Sequence, residues 1–331
     1  MNRFGRECMA VSEPTERFLL MLDDIELRDG VIELDLAVSA QRAFHGVVWR
    51  LQDEENYESF FVRPHQVGNP DSIQYTPVSN GIASWQLYHG PGFWATVSFP
   101  IDGWFTIRVA FSGSRSEVDV GETTEPTLAI AELKRPTVSG RVGVLVGGPG
   151  LHLARFAYEG RAQVAFRTPP PVAAEGSPGV IPAWSVSDAF AEEALEARTV
   201  LEGPLLAGRN WTELTCEPAG LGDLARVNGI RDGRNCVFAR AVVRSERAQT
   251  LPLELGFSDR AVVFLNGRAL YRGDDSYRSR DYRFLGSIGW YDTVYLPLGE
   301  GANDLVVAVA EDIGGWGVQG RFPVWSGITF A

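Results

Sequence analysis

Residues 261–271 read AVVFLNGRALY, two short apolar runs rich in β-branched and aromatic side chains on either side of Asn266-Gly267. Asn and Gly most readily adopt the positive φ that both central positions of a type I′ turn demand, so this stretch predicts a tight β-hairpin. The pattern continues outward. Residues 294–309, VYLPLGEGANDLVVAV, form two more short runs broken by Pro, Gly and Asn. The N-terminal half alternates in the same way, with strands expected at Val31–Val38, Gly46–Leu51, Tyr57–Arg63, Ser84–Tyr88, Trp104–Phe111 and Arg141–Val146. Short alternating runs separated by turn residues, with almost no helical period, are the mark of an all-β sandwich.

A chain of 331 residues is too long for one ordinary core and suits two. The run TPPPVAAEGSPGVIPAW, residues 168–184, denies backbone donors through its prolines and loosens the chain through its glycines. The expected plan is a β-sandwich over residues 1–165, a Pro-rich linker with one short helix over 166–200, and a second β-sandwich over 201–331. The helix is placed at Ser185–Arg198, where Ser185 and Asp188 stand at capping-box spacing before a body of Ala, Glu and Leu. Cys8, Cys216 and Cys236 have no metal-binding spacing; Cys216 and Cys236 are either a pair in an oxidising compartment or two buried thiols.

The formal net charge of −12 argues against nucleic acid and anionic membrane surfaces, which reward clustered cations. No apolar run is long enough for a spanning helix, and MNRFGRECMAVSEP lacks the apolar core of a signal peptide, so the expected location is the cytoplasm, with secretion as the alternative. Arginine far outnumbers lysine, which favours planar, paired recognition of polar groups. There is no phosphate-binding glycine loop, nucleophile elbow or H-E-x-x-H pattern.

Parity locates the polar faces. With Gly46–Arg63 read as a hairpin around Asp53–Asn56 and Arg50 opposite Ser59, Val47, Trp49, Leu51, Phe60 and Val62 fall on one face with Glu58 near the turn. Arg50, Tyr57 and Arg63 fall on the other. In Val31–Val38 the same parity turns Ile32, Leu34, Leu36 and Val38 inward and leaves Glu33 and Asp35 outside. Rings and planar polar groups follow at His65, Gln74, Tyr75, Trp85 and Tyr88. Sugars are held by stacking on rings while amides, carboxylates and guanidinium groups take their hydroxyls. The expected ligand-binding set is therefore Arg50, Tyr57, Arg63, His65, Gln74, Tyr75, Trp85 and Tyr88. The alternative is a plain solvated sheet face.

Over residues 1–160, DGVIELDLAV, GVVWR with its return NYESFFVRP, and GRVGVLV resemble the concanavalin A-like lectin and glucanase group, laminin-G-like domains included. That resemblance implies a jelly roll and a carbohydrate ligand. Catalytic members of the group carry Glu-x-Asp-x-x-Glu on one strand; Glu33 and Asp35 match the first two acids, but the third position is Val38. Residues 210–325 resemble the galactose-binding-like jelly roll found as the sugar-binding domain of β-galactosidase-type enzymes, with Asp259, Asn266, Gly267 and Asn303 at the matching places.

A second cluster lies in YRSRDYRFLGSIGWYD and EDIGGWG, loops rich in Arg, Tyr and Trp: Arg280, Tyr282, Trp290, Tyr291, Asp292, Glu311 and Trp316. Three functions remain open. The first is a carbohydrate-binding protein using the N-terminal face, needing no cofactor. The second is a glycoside hydrolase or lyase, with Glu33, Asp35, Glu58 and His65 as candidate catalytic groups. The third is an assembly module docking a partner or another copy. The loops QDEEN and GDDSY offer oxygen ligands that suit Ca²⁺.

Overall fold

The computed structural model describes residues 1–11, 17–172, 176–281 and 283–331. It is all-β apart from single helical turns, and it divides into two compact units. One holds Met1–Val78 and Tyr88–Val172; the other holds Ala173–Ala331 together with Ser79–Leu87. The division falls within the stretch 166–200 expected as the linker, and the expected plan has no counterpart for residues 79–87 belonging to the second unit.

In the first unit two antiparallel sheets face each other. One runs Trp94–Ala95, Ile73–Ser79, Asn56–Val62, Phe44–Asp53, Gly140–Gly147, Phe18–Leu27; the other runs Leu128–Ile130, Arg115–Val120, Trp104–Ser112, Gly30–Val38, Leu151–Gly160, Met9–Val11. Ile32, Leu34, Leu36, Val47, Trp49, Phe60 and Phe111 meet between them as a fully buried core. Parity along Gly30–Val38 is as expected. In the Phe44–Val62 hairpin, Trp49 pairs with Glu58 and Asp53 with Asn56, so three residues, Arg50 to Gln52, bulge opposite Tyr57 alone. Val48, not Arg50, therefore faces Ser59. The two sheets also separate groups that parity placed on one surface: Glu33 and Asp35 belong to one, Tyr57 and Arg63 lie on the other's side.

The second unit pairs a large sheet, ordered Trp211–Thr215, Ala183–Ser187, Cys236–Ser245, Gly301–Ala310, Arg260–Leu265, Arg268–Asp274, with a four-stranded one ordered Leu221–Asp223, Gly317–Arg321, Gln249–Ser258, Asp292–Leu298. Trp184, Trp316, Phe257 and Phe322 fill its core. The helix expected at Ser185–Arg198 does not form. Ala183–Ser187 is a strand because Trp184 and Val186 alternate into that core and pair on both sides, which outweighs the helical propensity of residues 189–198. Only Glu192–Leu195 makes a helical turn, and a second stands at Gly203–Leu206. Ser84–Tyr88, expected as a strand, is a turn. Cys8, Cys216 and Cys236 are free thiols, and burial pushes Cys216 up to about 12.

The Asn266-Gly267 hairpin is present: Leu265 pairs with Arg268, and Asn266 and Gly267 have φ of 50° and 78°. The Asn266 side chain accepts from Asp304 N (2.8 Å) and donates to Asn303 Oδ1 (3.1 Å), tying the turn to the next strand. Asn266→Ala is expected to cost about 2 kcal/mol, from left-handed strain plus the lost bonds, and Asn266→Gly clearly less. Urea unfolding of both variants reads the difference.

Candidate functional site

The N-terminal candidates turn out to be held in internal networks. Asp35 accepts from Thr106 Oγ1 (2.7 Å), Arg6 Nη2 (2.7 Å) and Arg155 Nε (3.2 Å), while Arg155 Nη2 donates to Glu33 (2.7 Å). Burial tends to raise the Asp35 pKa, but these bonds outweigh it and hold the group below its ordinary value. An acid so paired stays ionised and has no proton to give. Glu58 is fully buried, as parity required, and accepts from Tyr75 Oη (2.6 Å) and Arg135 N (3.1 Å); burial pushes its pKa up against both.

Tyr75 points into the core beside Trp49, at 6.2 Å between rings, and so leaves the polar face where it was expected. Arg50 does the same through its bulge, at φ 48°. It donates to Arg28 O (2.8 Å) and Gly113 O (2.7 Å), pairs with Asp29 at 3.2 Å, and lies under Phe111. Tyr57 is buried and accepts from Arg17 (2.9 Å). Arg63 sits 4.9 Å from the Phe61 ring and donates to Gln74 Oε1, and Gln74 donates in turn to Tyr88 O (2.8 Å). Tyr88 is buried, with the Lys134 ammonium 5.4 Å from its ring. His65 packs edge-on against Phe44, and burial with Arg42 and Arg63 nearby lowers its pKa. These side chains build the sandwich; the open aromatic surface lies elsewhere.

It lies in the second unit, on the segment 275–291 between the strands Arg268–Asp274 and Asp292–Leu298. Arg280 organises it: Nη2 donates to Asp292 Oδ2 (2.6 Å) and Nε pairs with Asp275 Oδ1 (3.0 Å). Tyr271 Oη donates to the other Asp292 oxygen (2.7 Å). Phe284 and Tyr291 lie 5.1 Å apart, with the Arg280 guanidinium 5.9 Å from the Tyr291 ring. Tyr277 takes Arg278 over its face (4.9 Å) and the edge of Trp85 at 6.2 Å. Tyr277, Phe284 and Tyr291 keep 37%, 42% and 39% of their surface exposed, so the segment turns three rings to solvent, Tyr291 and Phe284 beside the fixed guanidinium.

Gln86 pins this segment. Its backbone donates to Gly314 O (2.8 Å) and accepts from Ile288 N (3.0 Å); its amide donates to Leu285 O (2.9 Å) and faces Ser258 Oγ (3.3 Å). A Cβ on Gly286 or Gly314, both at positive φ, would stand 2.3 Å and 2.0 Å from that amide. Beneath are three buried acids. Asp259 is raised to about 6 and Asp275 to about 7, both chiefly by burial, and Glu311 well above its ordinary value for the same reason. Glu311 accepts from Gly315 N (3.0 Å) and meets Ser258 Oγ at 3.4 Å.

Of the second cluster expected from sequence, Arg280, Tyr291 and Asp292 come together, Glu311 lies below, and Trp290 is covered by Arg321 (4.5 Å). Trp316 is a core residue donating to Val309 O (3.0 Å), and Tyr282 lies outside the described residues. Trp85 joins this cluster rather than the N-terminal one. Tyr277 and Phe284 were within the aromatic-rich loop without being singled out, and only the fold shows which rings stay exposed. Asp53 and Asp274 cap their own turns, and no group of three or more His, Cys, Asp or Glu among the described residues is arranged to hold a metal.

Neither a family model nor a curated protein matches the chain. Among solved structures, a carbohydrate-binding module from Bacillus subtilis is similar at 12% identity over 46% of this chain and 91% of its own, with a TM-score of 0.36. Chicken galectin 2 is similar at 12% identity over 45% and 100%, TM-score 0.29. Domains LG4-5 of the mouse laminin α1 chain are similar at 11% identity over 95% and 90%, TM-score 0.29. At such scores the likeness carries nothing about ligand or activity.

Proposed function

We propose that the protein binds carbohydrate, and that its site is the exposed aromatic cluster on residues 275–292. The observation that carries this is the half-exposed Phe284 and Tyr291 rings, packed together beside an Arg280–Asp292 pair that is already fixed by Tyr271 and Asp275, with half-exposed Tyr277 on the same segment. Rings of that kind cover the apolar face of a sugar, and a carboxylate and guanidinium already held in place accept from and donate to its hydroxyls with little ordering left to do.

The test is titration calorimetry of the whole chain against a panel of soluble oligosaccharides, with mass analysis of each mixture. Binding of intact glycan is expected, weakened about tenfold or more by Tyr291→Ala and unaffected by Arg63→Lys. Binding lost in the second variant and kept in the first would return the site to the N-terminal sandwich. New product masses would turn the reading toward a hydrolase or lyase.

A further inference from the structure

One side of the first sandwich ends in strand edges with no outer partner among the described residues. Phe18–Leu27 closes the order of its sheet, and beyond Leu153 the strand Leu151–Gly160 has no outer partner among the described residues. Between them opens a cavity of about 200 Å³ lined by Met9, Leu20, Leu22, Val144, Leu153 and Phe156. Sheet edges are ordinarily blunted by charge, proline or a bulge, because unpaired backbone groups template another strand. Here only the far half is blunted. Pairing with Gly140–Gly147 slips after Leu22, and Asp23, Asp24 and Glu26 follow. The near half, Phe18-Leu19-Leu20-Met21-Leu22, is wholly apolar, and Phe18 and Leu22 are each 36% exposed.

We propose that this edge pairs antiparallel with the same edge of a second copy, about a two-fold axis at Leu20. In that register Phe18 meets Leu22, Leu19 meets Met21, and Arg17 meets Asp23 at both ends. Over residues 17–23 the pattern is self-complementary in charge as well as in polarity, and one step further out the same register sets Glu16 against Asp24. A slip toward Leu22 would set Asp23 and Asp24 against Met21 and Leu20; a slip toward Phe18 would set Arg17 against Leu19. Asp23 has room for the new cation: its side chain is 85% exposed, with Arg141 at 3.7 Å. Arg17 is exposed and donates to Tyr57 Oη (2.9 Å), a bond that the new pair would replace. The contact is isologous, so it closes as a dimer rather than growing into a fibre.

Sedimentation equilibrium of the full chain over a wide concentration range tests this. A dimer is expected, with Kd raised about tenfold or more by Leu22→Lys and by Arg17→Asp, and restored by combining Arg17→Asp with Asp23→Arg. Far-UV circular dichroism checks that each variant is folded, and the charge swap stands alone should Leu22→Lys fail to fold. A monomer at every concentration overturns the proposal, as does a dimer indifferent to the charge variants, or one that the double swap leaves broken.

Discussion

Melting the second sandwich at pH 8 is expected to require a temperature on the order of 10 °C lower than at pH 5. Asp275, Asp259 and Glu311 are the cause. Each holds its proton more tightly folded than unfolded, so their stabilisation is complete below the ordinary carboxylate value near 3.8 and is withdrawn as pH rises through about 6 for Asp259 and about 7 for Asp275. For Asp275 the full range is worth about 4 kcal/mol. The groups do not simply add, because Asp259 helps to raise both Asp275 and Glu311. Around Asp275 stand Arg280, which opposes the shift, and Asp292, Asp259 and Asp274, which reinforce it. Asp312 faces Glu311 and Asp259, and Arg260 partly relieves Asp259. Asp312 itself is held low by Arg260, so stability falls again in stronger acid. Calorimetric scans at both pH values measure the slope, and Asp275→Asn should flatten it while raising the melting point at pH 8. A pH-independent melting point from 5 to 8 would show that these acids are solvated.

Removing the Arg50 guanidinium is expected to destabilise the first sandwich by about 3–5 kcal/mol. Its charge is 1% exposed and serves Asp29 and two backbone carbonyls at once, so truncation leaves the two carbonyls without this donor and the Asp29 carboxylate, which keeps Gly113 N, without its guanidinium. Arg50→Lys should recover little, since a single ammonium cannot span the fork. Arg50→Gly should be milder than Arg50→Ala by about 1 kcal/mol, because the residue sits at φ 48°. Urea unfolding followed by tryptophan fluorescence separates these three. A loss within about 0.5 kcal/mol for Arg50→Ala would mean that the bulge holds without its clamp.

Arg50 also shows where reading residues in order fails. Alternation places side chains only while the ladder is regular, and three residues opposite one leave the flanking parity intact while reversing Arg50 itself. The Asn266-Gly267 turn and the inward side of Gly30–Val38 were legible because local chemistry and burial agree there. Ala183–Ser187 was not: its Ala, Glu and Leu neighbours favour helix locally, and the deciding contacts of Trp184 come from strands far along the chain. Trp85, Gln86 and Tyr88 look alike in sequence, three planar groups on one expected strand. One packs on Tyr277, one is a strut, and one is buried in the other sandwich, a division set by a turn at Ser84–Leu87 that no spacing announces. The exposed cluster was half legible, since aromatic loops are conspicuous while buried acids under them are not.

The placement of Ser79–Leu87 has a consequence for how the chain is made. Those nine residues leave the ribosome long before Leu285, Ile288 and Gly314, the groups that Gln86 must meet. While the first sandwich closes during synthesis, the loop that props the second one waits unfilled until Gly314 has been added. A gene cut at residue 172 would accordingly yield a C-terminal product without its strut. Shuffling the two halves independently in evolution would meet the same obstacle, which ties their inheritance together more firmly than a proline-rich linker suggests.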